Sequence, residues 1–379
     1  MSICHTSLRN SSFCLVLAAL AAGCTIETDD DTQGELPGIP GDPGGQAPAT
    51  TINNIKPAAQ FSLDASESRR VRVNLLGLID PTTQAPIEFL SGETLFVTED
   101  DVLKGLRVTQ ADASNQLPSD IVFVVDNSSS MDQEADTVAD KIIEFVNLLE
   151  SSGLSTKVGV VGVNGDITGA IDLHDAAGIE AYLKRSGRSG TSRTVGFDGA
   201  NAATLTEEAQ TMNPSFGGGE NGIHGIAFAE AAFTFRQNAQ RVFINFTDEP
   251  TQPANKPEWS TKTLCARWTP TTGTIHTIWS GSRSLEETAS TTWTENVSEN
   301  PAELSKCTPG GIVQSVASNA SDLNLTTLPL TVALGNSALV EFATSDPDAA
   351  HTLKITVKNG ATADGETIFE DLVYGGGSQ

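Results

Sequence analysis

Two acidic segments carry the side chains best suited to chemistry. The first is Asp126-Asn127-Ser128-Ser129-Ser130-Met131, directly after the apolar run Ile121-Val122-Phe123-Val124-Val125. The second is Thr247-Asp248-Glu249-Pro250, directly after the apolar stretch Arg241 to Phe246. A carboxylate and two hydroxyls at alternate positions of a tight loop turn the same way. They offer hard oxygen ligands to a small divalent cation, with water filling the remaining positions. Other chemistry is poorly supported. No G-x-S-x-G elbow surrounds Ser128. His174, His224, His276 and His351 lack the paired spacing of a zinc site. Gly217 to Gly219 lacks the Lys-Ser/Thr that completes a phosphate loop.

The elements around these segments alternate between strand and helix. Ile121 to Val125 is continuously apolar, as expected of a strand buried on both faces of a parallel sheet. A helix is expected over Glu134 to Ser151, with Val138, Ile142, Phe145, Val146 and Leu149 on one side. Further strands are expected at Lys157 to Val163, Arg241 to Phe246 and Thr274 to Trp279. Further helices are expected at Ala176 to Lys184, Gly222 to Gln237 and Ala302 to Asn319, the last interrupted near Pro309-Gly310. Strand-helix alternation implies a doubly wound, mostly parallel sheet, whose ligands bind at the carboxyl ends of the strands. Both acidic segments then point to one edge. Trp259, Trp268, Trp279 and Trp293 follow Asp248 and are read as core, with a binding rim near the acidic segments as the alternative.

The order Asp126-x-Ser128-x-Ser130, then Thr247-Asp248-Glu249-Pro250, each after a buried strand, resembles the metal-ion-dependent adhesion site of von Willebrand factor type A (VWA) domains. The resemblance covers residues 117–328. It implies a Rossmann-like α/β fold and one Mg²⁺, or Mn²⁺, held by Asp126, Ser128 and Ser130, with Asp248 acting mainly through water. That family usually supplies a Thr from a middle loop. Here Phe216-Gly217-Gly218-Gly219-Glu220-Asn221-Gly222-Ile223 stands in that place, and Glu220 falls at the Thr position, as in integrin β-subunit domains. Thr204, Thr206 and Thr211 are the alternatives. The resemblance implies binding of a protein or surface ligand whose carboxylate completes the coordination sphere, and no enzymatic role. A scaffold whose metal only stabilises the loops is the alternative, followed by a metal-assisted hydrolase. Asp132 and Glu134 are read as a solvated helix start, favoured by the helix dipole.

The chain has 379 residues and a formal net charge of −26. Such acidity argues against nucleic acid or an anionic membrane surface as partner. The amino terminus reads as a processing signal: a short apolar run over Phe13 to Leu20 leads into Leu20-Ala21-Ala22-Gly23-Cys24, which resembles a bacterial lipobox. Cys24 would carry the lipid, making residues 1–24 a signal. Thr25 follows where an inner-membrane retention signal would place Asp, so outer-membrane anchoring is expected, periplasmic or surface-exposed. Of the five cysteines, Cys4 and Cys14 leave with the signal. Cys265 and Cys307 remain as a disulfide pair in an oxidising compartment. Residues 25–50 are acidic and rich in Pro and Gly, and are read as a disordered tether reaching on the order of 30 Å. Residues 51–116 and 329–379 show β-pattern, including Val71, Val73 and Leu75, Leu95 to Val97, Leu328 to Leu334, Ala338 to Phe342, Leu353 to Val357 and Ile368 to Tyr374. The two flanks form either one β-sandwich with the α/β domain inserted or two small β-units.

Overall fold

In this computed structural model, residues 36–112, 117–131, 134–151, 154–185, 195–213, 220–253, 256–282, 285 and 298–374 are described. The amino-terminal flank gives β1 (Ala59–Asp64), β2 (Glu67–Leu75), β3 (Leu95–Glu99), β4 (Val102–Leu103) and β5 (Arg107–Gln110). Val71, Val73 and Leu75 of β2 are buried on the core face, as period-two alternation requires.

The α/β region follows. Its strands are β6 (Pro118–Asp126), β7 (Ser155–Asn164), β8 (Asp166–His174), β9 (Gly199–Ala200), β10 (Gln240–Thr247), β11 (Thr274–Trp279) and β12 (Val313–Ser315). They form one seven-stranded sheet in the order β12-β11-β10-β6-β7-β8-β9. The run from β12 through β7 is parallel, and β8 runs antiparallel to β7. The β6 side chains alternate between two cores. Ile121, Phe123 and Val125 join the cluster under α1 (Glu134–Ser151), where Phe123 meets Phe145 edge-on at 5.9 Å. Val122 and Val124 face the opposite cluster, with Ile223, Ile226 and Phe228. The continuous apolar run of β6 is thus explained by helices on both faces of the sheet.

Helices α2 (Ala176–Leu183), α3 (Ala203–Thr211), α4 (Gly222–Ala232), α5 (Thr261–Arg267), α6 (Ala302–Lys306) and α7 (Pro329–Gly335) complete the region. The final strands are β13 (Ala338–Ala343), β14 (His351–Asn359) and β15 (Ala363–Leu372). They return to the strands of the amino-terminal flank. β13 pairs antiparallel with both β2 and β5, and β14 pairs antiparallel with β3. The two four-stranded sheets, β1-β2-β13-β5 and β15-β14-β3-β4, share one core that includes Val73, Leu95, Phe342 and Ile355.

Several elements differ from the sequence reading. The helix expected over 302–319 is only α6. Pro309 and Gly310 end it, Gly310 adopts φ +67°, and a Cβ at Gly311 would meet the Ser305 carbonyl at 2.0 Å. The chain then adds β12 to the sheet edge. Leu328 to Leu334, read as strand, is largely α7. Pro329 opens the helix, and Leu330, Ala333 and Leu334 bury one helical face on the α/β core. The helix from Gly222 stops at Ala232, because Phe233 turns to extended backbone and buries its ring. Strand β8 was unforeseen; Gly165, at φ +69°, makes the turn that reverses the chain after β7.

The tether reading also changes over residues 36–50. Leu36 and Ile39 are buried, and Asp42 accepts from the Gly105 amide at 3.0 Å and pairs with the Lys104 ammonium at 2.8 Å. Asp364 fixes the following turn, accepting from the amides of Thr51, Ile52 and Asn53. Residues 1–35, with the signal and Cys24, lie outside the described residues. Among the described residues, no helix is long and apolar enough to cross a membrane.

Candidate metal centre

The tips of β6 and β10 are neighbours because these strands pair in parallel, with Phe246 opposite Val125. Asp126 ends β6 and is buried. Its Oδ1 accepts from the Ser128 amide at 2.9 Å, which bends the loop tightly enough to bring Ser128 and Ser130 together. Their Oγ atoms lie 2.8 Å apart. The Ser130 hydroxyl donates to Asp248 Oδ1 at 3.1 Å, closing the circuit between the two strand tips. Asn127 supports the loop from behind, its amide donating to the Val163 carbonyl at 2.7 Å and its side chain to Asp198 at 3.1 Å.

Glu220 joins this group. It precedes Asn221, whose Oδ1 caps α4 by accepting from the Ile223 amide at 3.0 Å, while its Nδ2 donates to the Trp259 carbonyl at 3.0 Å. The Glu220 carbonyl is itself held by the Gln252 amide at 2.8 Å. Gly222 is required for the approach, since a Cβ there would meet Asn245 Oδ1 at 2.0 Å. A cavity of 10 Å³ lies among Asp126, Glu220, Asn221, Asn245 and Thr247, about the room that one water or a small ion needs.

The electrostatics of the group are unfavourable to its own ionisation. Burial, followed by repulsion from Asp248, raises the Asp126 carboxyl to about 7. Burial, then repulsion from Asp126 and Glu249, raises Glu220 to about 8. Burial also raises Asp248, although the Ser130 hydroxyl opposes the rise. Several carboxylates drawn out of water beside one another favour either protonation or a cation among them. Among the described residues, no three His, Cys, Asp or Glu side chains stand at metal-ligand spacing. The oxygens that do gather are the Ser128 and Ser130 hydroxyls with the Asp126 and Asp248 carboxyls, hard donors of the kind that a small divalent ion takes together with water.

Asp126, Ser128, Ser130, Glu220 and Asp248 are thus brought to one place. The alternatives to Glu220 lie on α3, where the Thr206 and Thr211 hydroxyls donate to the Ala202 and Glu207 carbonyls of their own helix. Phe216 to Gly219 and Asp132 lie outside the described residues.

Two participants were missed in the sequence. Thr247 donates to Asp126 Oδ2 at 3.1 Å and accepts from the Glu249 amide at 3.1 Å, fixing both tips. Glu134 was read as a solvated helix start; instead it is buried, and its carboxylate accepts from the Ser280 hydroxyl at 3.0 Å. Burial raises it to about 8, and Asp248 and Asp126 add repulsion. The signal was present, because Glu134, Val138 and Ile142 are spaced four apart and share the buried face of α1. His224 is also buried, edge-on to Trp259 at 5.3 Å, and burial lowers it to about 4. Trp268 and Trp279 are core residues, Trp259 packs at the core's margin, and Trp293 lies outside the described residues. Cys265 on α5 and Cys307 at the end of α6 are joined as a disulfide, with Cα atoms 5.7 Å apart.

A mostly parallel sheet covered by helices on both faces, with acidic tips on two neighbouring strands, defines an α/β domain of the doubly wound class. Residues 120–267 match the family model of the von Willebrand factor type A domain, and they lie within an α/β region flanked by antiparallel β-sheets. No curated protein sequence matches the chain. Among solved structures, it is similar to the open conformation of the pilus adhesin SpaC from Lactobacillus rhamnosus GG, at 10% identity and a TM-score of 0.37, over 82% of this chain and 53% of that one. It is also similar to the vWF domain of the type V pili tip protein Mfa5 from Porphyromonas gingivalis, at 14% identity and a TM-score of 0.22, over 36% of this chain and 40% of that one. The chain thus spans about half, or less, of these structures' lengths.

Proposed function

We propose that the protein is a binding protein of the bacterial envelope that uses one divalent cation, Mg²⁺ or Mn²⁺, to hold a protein or surface ligand. The observation that carries this reading is the closed circuit of Asp126, Ser128, Ser130 and Asp248, with Glu220 beside it and burial raising its carboxyls. A cation placed there neutralises charges that the fold has already gathered. Asp126 anchors the ion, Ser128, Ser130 and Glu220 ligate it, and Asp248 acts mainly through water. Ser130 is exposed whereas Ser128 is buried, so the solvent side of the group is where a partner's carboxylate completes the sphere. No catalytic role is assigned: Glu220 serves as an ion ligand and the Glu134 carboxyl is engaged by the Ser280 hydroxyl, so neither is left as the general base that an activated water would need. Cys24 supplies the lipid anchor, and sorting to the outer membrane follows from Thr25.

A structural role for the cation is the second reading, and Glu220 favours it, since an internal carboxylate can take the position that a partner would use. The test is thermal unfolding in EDTA and in Mg²⁺ or Mn²⁺, with Asp126→Ala beside the parent. A ligand that binds only the folded state stabilises it by about 2.7 kcal/mol at a hundredfold excess over Kd. The expected result is a rise in melting temperature that Asp126→Ala abolishes. No rise in the parent at millimolar cation overturns the proposal.

A further inference from the structure

At the start of β10, the end opposite the acidic tip, a cleft of 550 Å³ opens between the α/β domain and the edge strands β1 and β15. Phe61, Phe235, Asn238, Arg241, Glu370 and Asp371 are among its lining residues. Arg241 is the unusual member. Its guanidinium lies over the Phe235 ring, with Cζ 4.9 Å from the centroid. Its Nε is shut off from solvent and has no hydrogen-bond partner. Among the described residues, no carboxylate forms an ion pair with it. Its neighbours are engaged: Arg236 pairs with Asp120 at 2.7 Å and Arg267 with Glu230 at 2.8 Å. Asp120 and Glu230 attract Arg241 at a distance, but neither comes within ion-pair reach, and its guanidinium fork is the one cation among the described residues lining the cleft, beside Glu230, Glu370 and Asp371. That fork matches a carboxylate through two parallel hydrogen bonds.

The rim has the opposite character. Glu370 and Asp371 are both exposed, and Asp371 is held at φ +53°, a region Asp tolerates better than most side chains. Neither takes part in an ion pair among the described residues. Between floor and rim, Gln60 donates to the Thr271 carbonyl at 2.8 Å and ties β1 to the loop before β11, so both walls are fixed. The volume is that of a small-ligand site.

We propose that this cleft captures a short peptide terminus with a basic side chain, its free α-carboxylate on Arg241 and its ammonium on Glu370 and Asp371. A cationic floor beneath an anionic rim selects a ligand carrying both charges in that order. A purely acidic ligand is repelled at the rim, and a purely basic one leaves Arg241 unsatisfied. The site is separate from the cation centre and needs no metal.

The test is calorimetric titration of the protein with alanyl-lysine in EDTA. Free lysine, alanyl-lysine amide and alanyl-norleucine serve as comparisons. The expected result is saturable binding that weakens at least tenfold when the carboxylate is amidated or when Arg241 is changed to Gln. Glu370→Gln with Asp371→Asn lowers affinity for alanyl-lysine and leaves alanyl-norleucine unchanged. These two rim positions are exposed, so the pair of substitutions keeps the proposal testable even if Arg241→Gln unfolds the protein. Free lysine binding as tightly as the dipeptide reassigns the site to an amino acid and overturns the peptide proposal. Equal binding of the amide, unchanged binding by Arg241→Gln, or no binding at millimolar dipeptide also overturns it. Persistence of binding in Asp126→Ala keeps this outcome distinct from the fate of the cation centre.

Discussion

Replacing Asp126 by Asn should stabilise the metal-free protein while destroying its response to cations. The Asp126 carboxyl is buried and raised to about 7, first by burial and then by Asp248. An ordinary aspartate titrates near 3.9. Below that value both folded and unfolded states hold the proton, and the site costs nothing. As pH rises toward 7 the unfolded chain has lost its proton while the folded one retains it. Above about 7 the folded state must carry the buried charge. Stability present in acid is thus lost through this interval, to a ceiling of about 4 kcal/mol at about 1.36 kcal/mol per pH unit. Asp248 shares the repulsion, so the expected gain for Asp126→Asn is about half the ceiling, ~2 kcal/mol at pH 8. The amide keeps an oxygen for the Ser128 amide, at 2.9 Å in the parent. The assay is denaturant unfolding in EDTA at pH 5 and pH 8, with and without Mg²⁺. The reasoning is refuted if the variant is less stable than the parent at pH 8, or if its advantage is as large at pH 5.

Other outcomes follow from the same structure. Breaking the Cys265–Cys307 disulfide, which spans 42 residues, should cost about 4 kcal/mol by loss of the constraint on the unfolded chain, read as a lower denaturation midpoint with dithiothreitol. Gly222→Ala should destabilise by ~1–3 kcal/mol and weaken Mg²⁺ binding, because its Cβ would collide with Asn245 2.0 Å away. His351 is buried, which lowers its pKa, but its bond to Asp100 at 2.7 Å and its contact with the Asp346 carbonyl outweigh burial and raise it overall. Its contribution is therefore full below about 6.5 and disappears as pH rises through the raised value. Asp100→Asn should flatten that part of the stability–pH curve.

Much of this arrangement was legible because it rests on periodicity and on strand ends. Ile121 to Val125 is apolar at every position since helices cover both faces of β6, and such a run is hard to mistake. Asp126 and Asp248 follow from it, because parallel neighbouring strands put their carboxyl ends at one edge. Leu328 to Leu334 was less legible, since its apolar residues fit either period and only packing on the α/β core selects the helix. Glu134 was misread because its charge suggested solvent, whereas its spacing from Val138 already placed it on the buried face. The ordering within residues 36–50 was hidden in composition: Leu36 and Ile39 are few but buried, and Asp42 is held by Lys104 and Gly105 in the turn between β4 and β5. Thr247 could not be assigned from its own strand, since its role depends on Asp126 being across the gap.

The most direct measurement is anomalous diffraction from crystals grown with Mn²⁺, which locates the ion without assuming its ligands. The account predicts one peak bonded by the Asp126 carboxylate and the Ser128 and Ser130 hydroxyls, with Glu220 in the sphere and Asp248 bridged through water. An empty position at that site in crystals soaked to millimolar Mn²⁺, or a peak held by other residues, would contradict it.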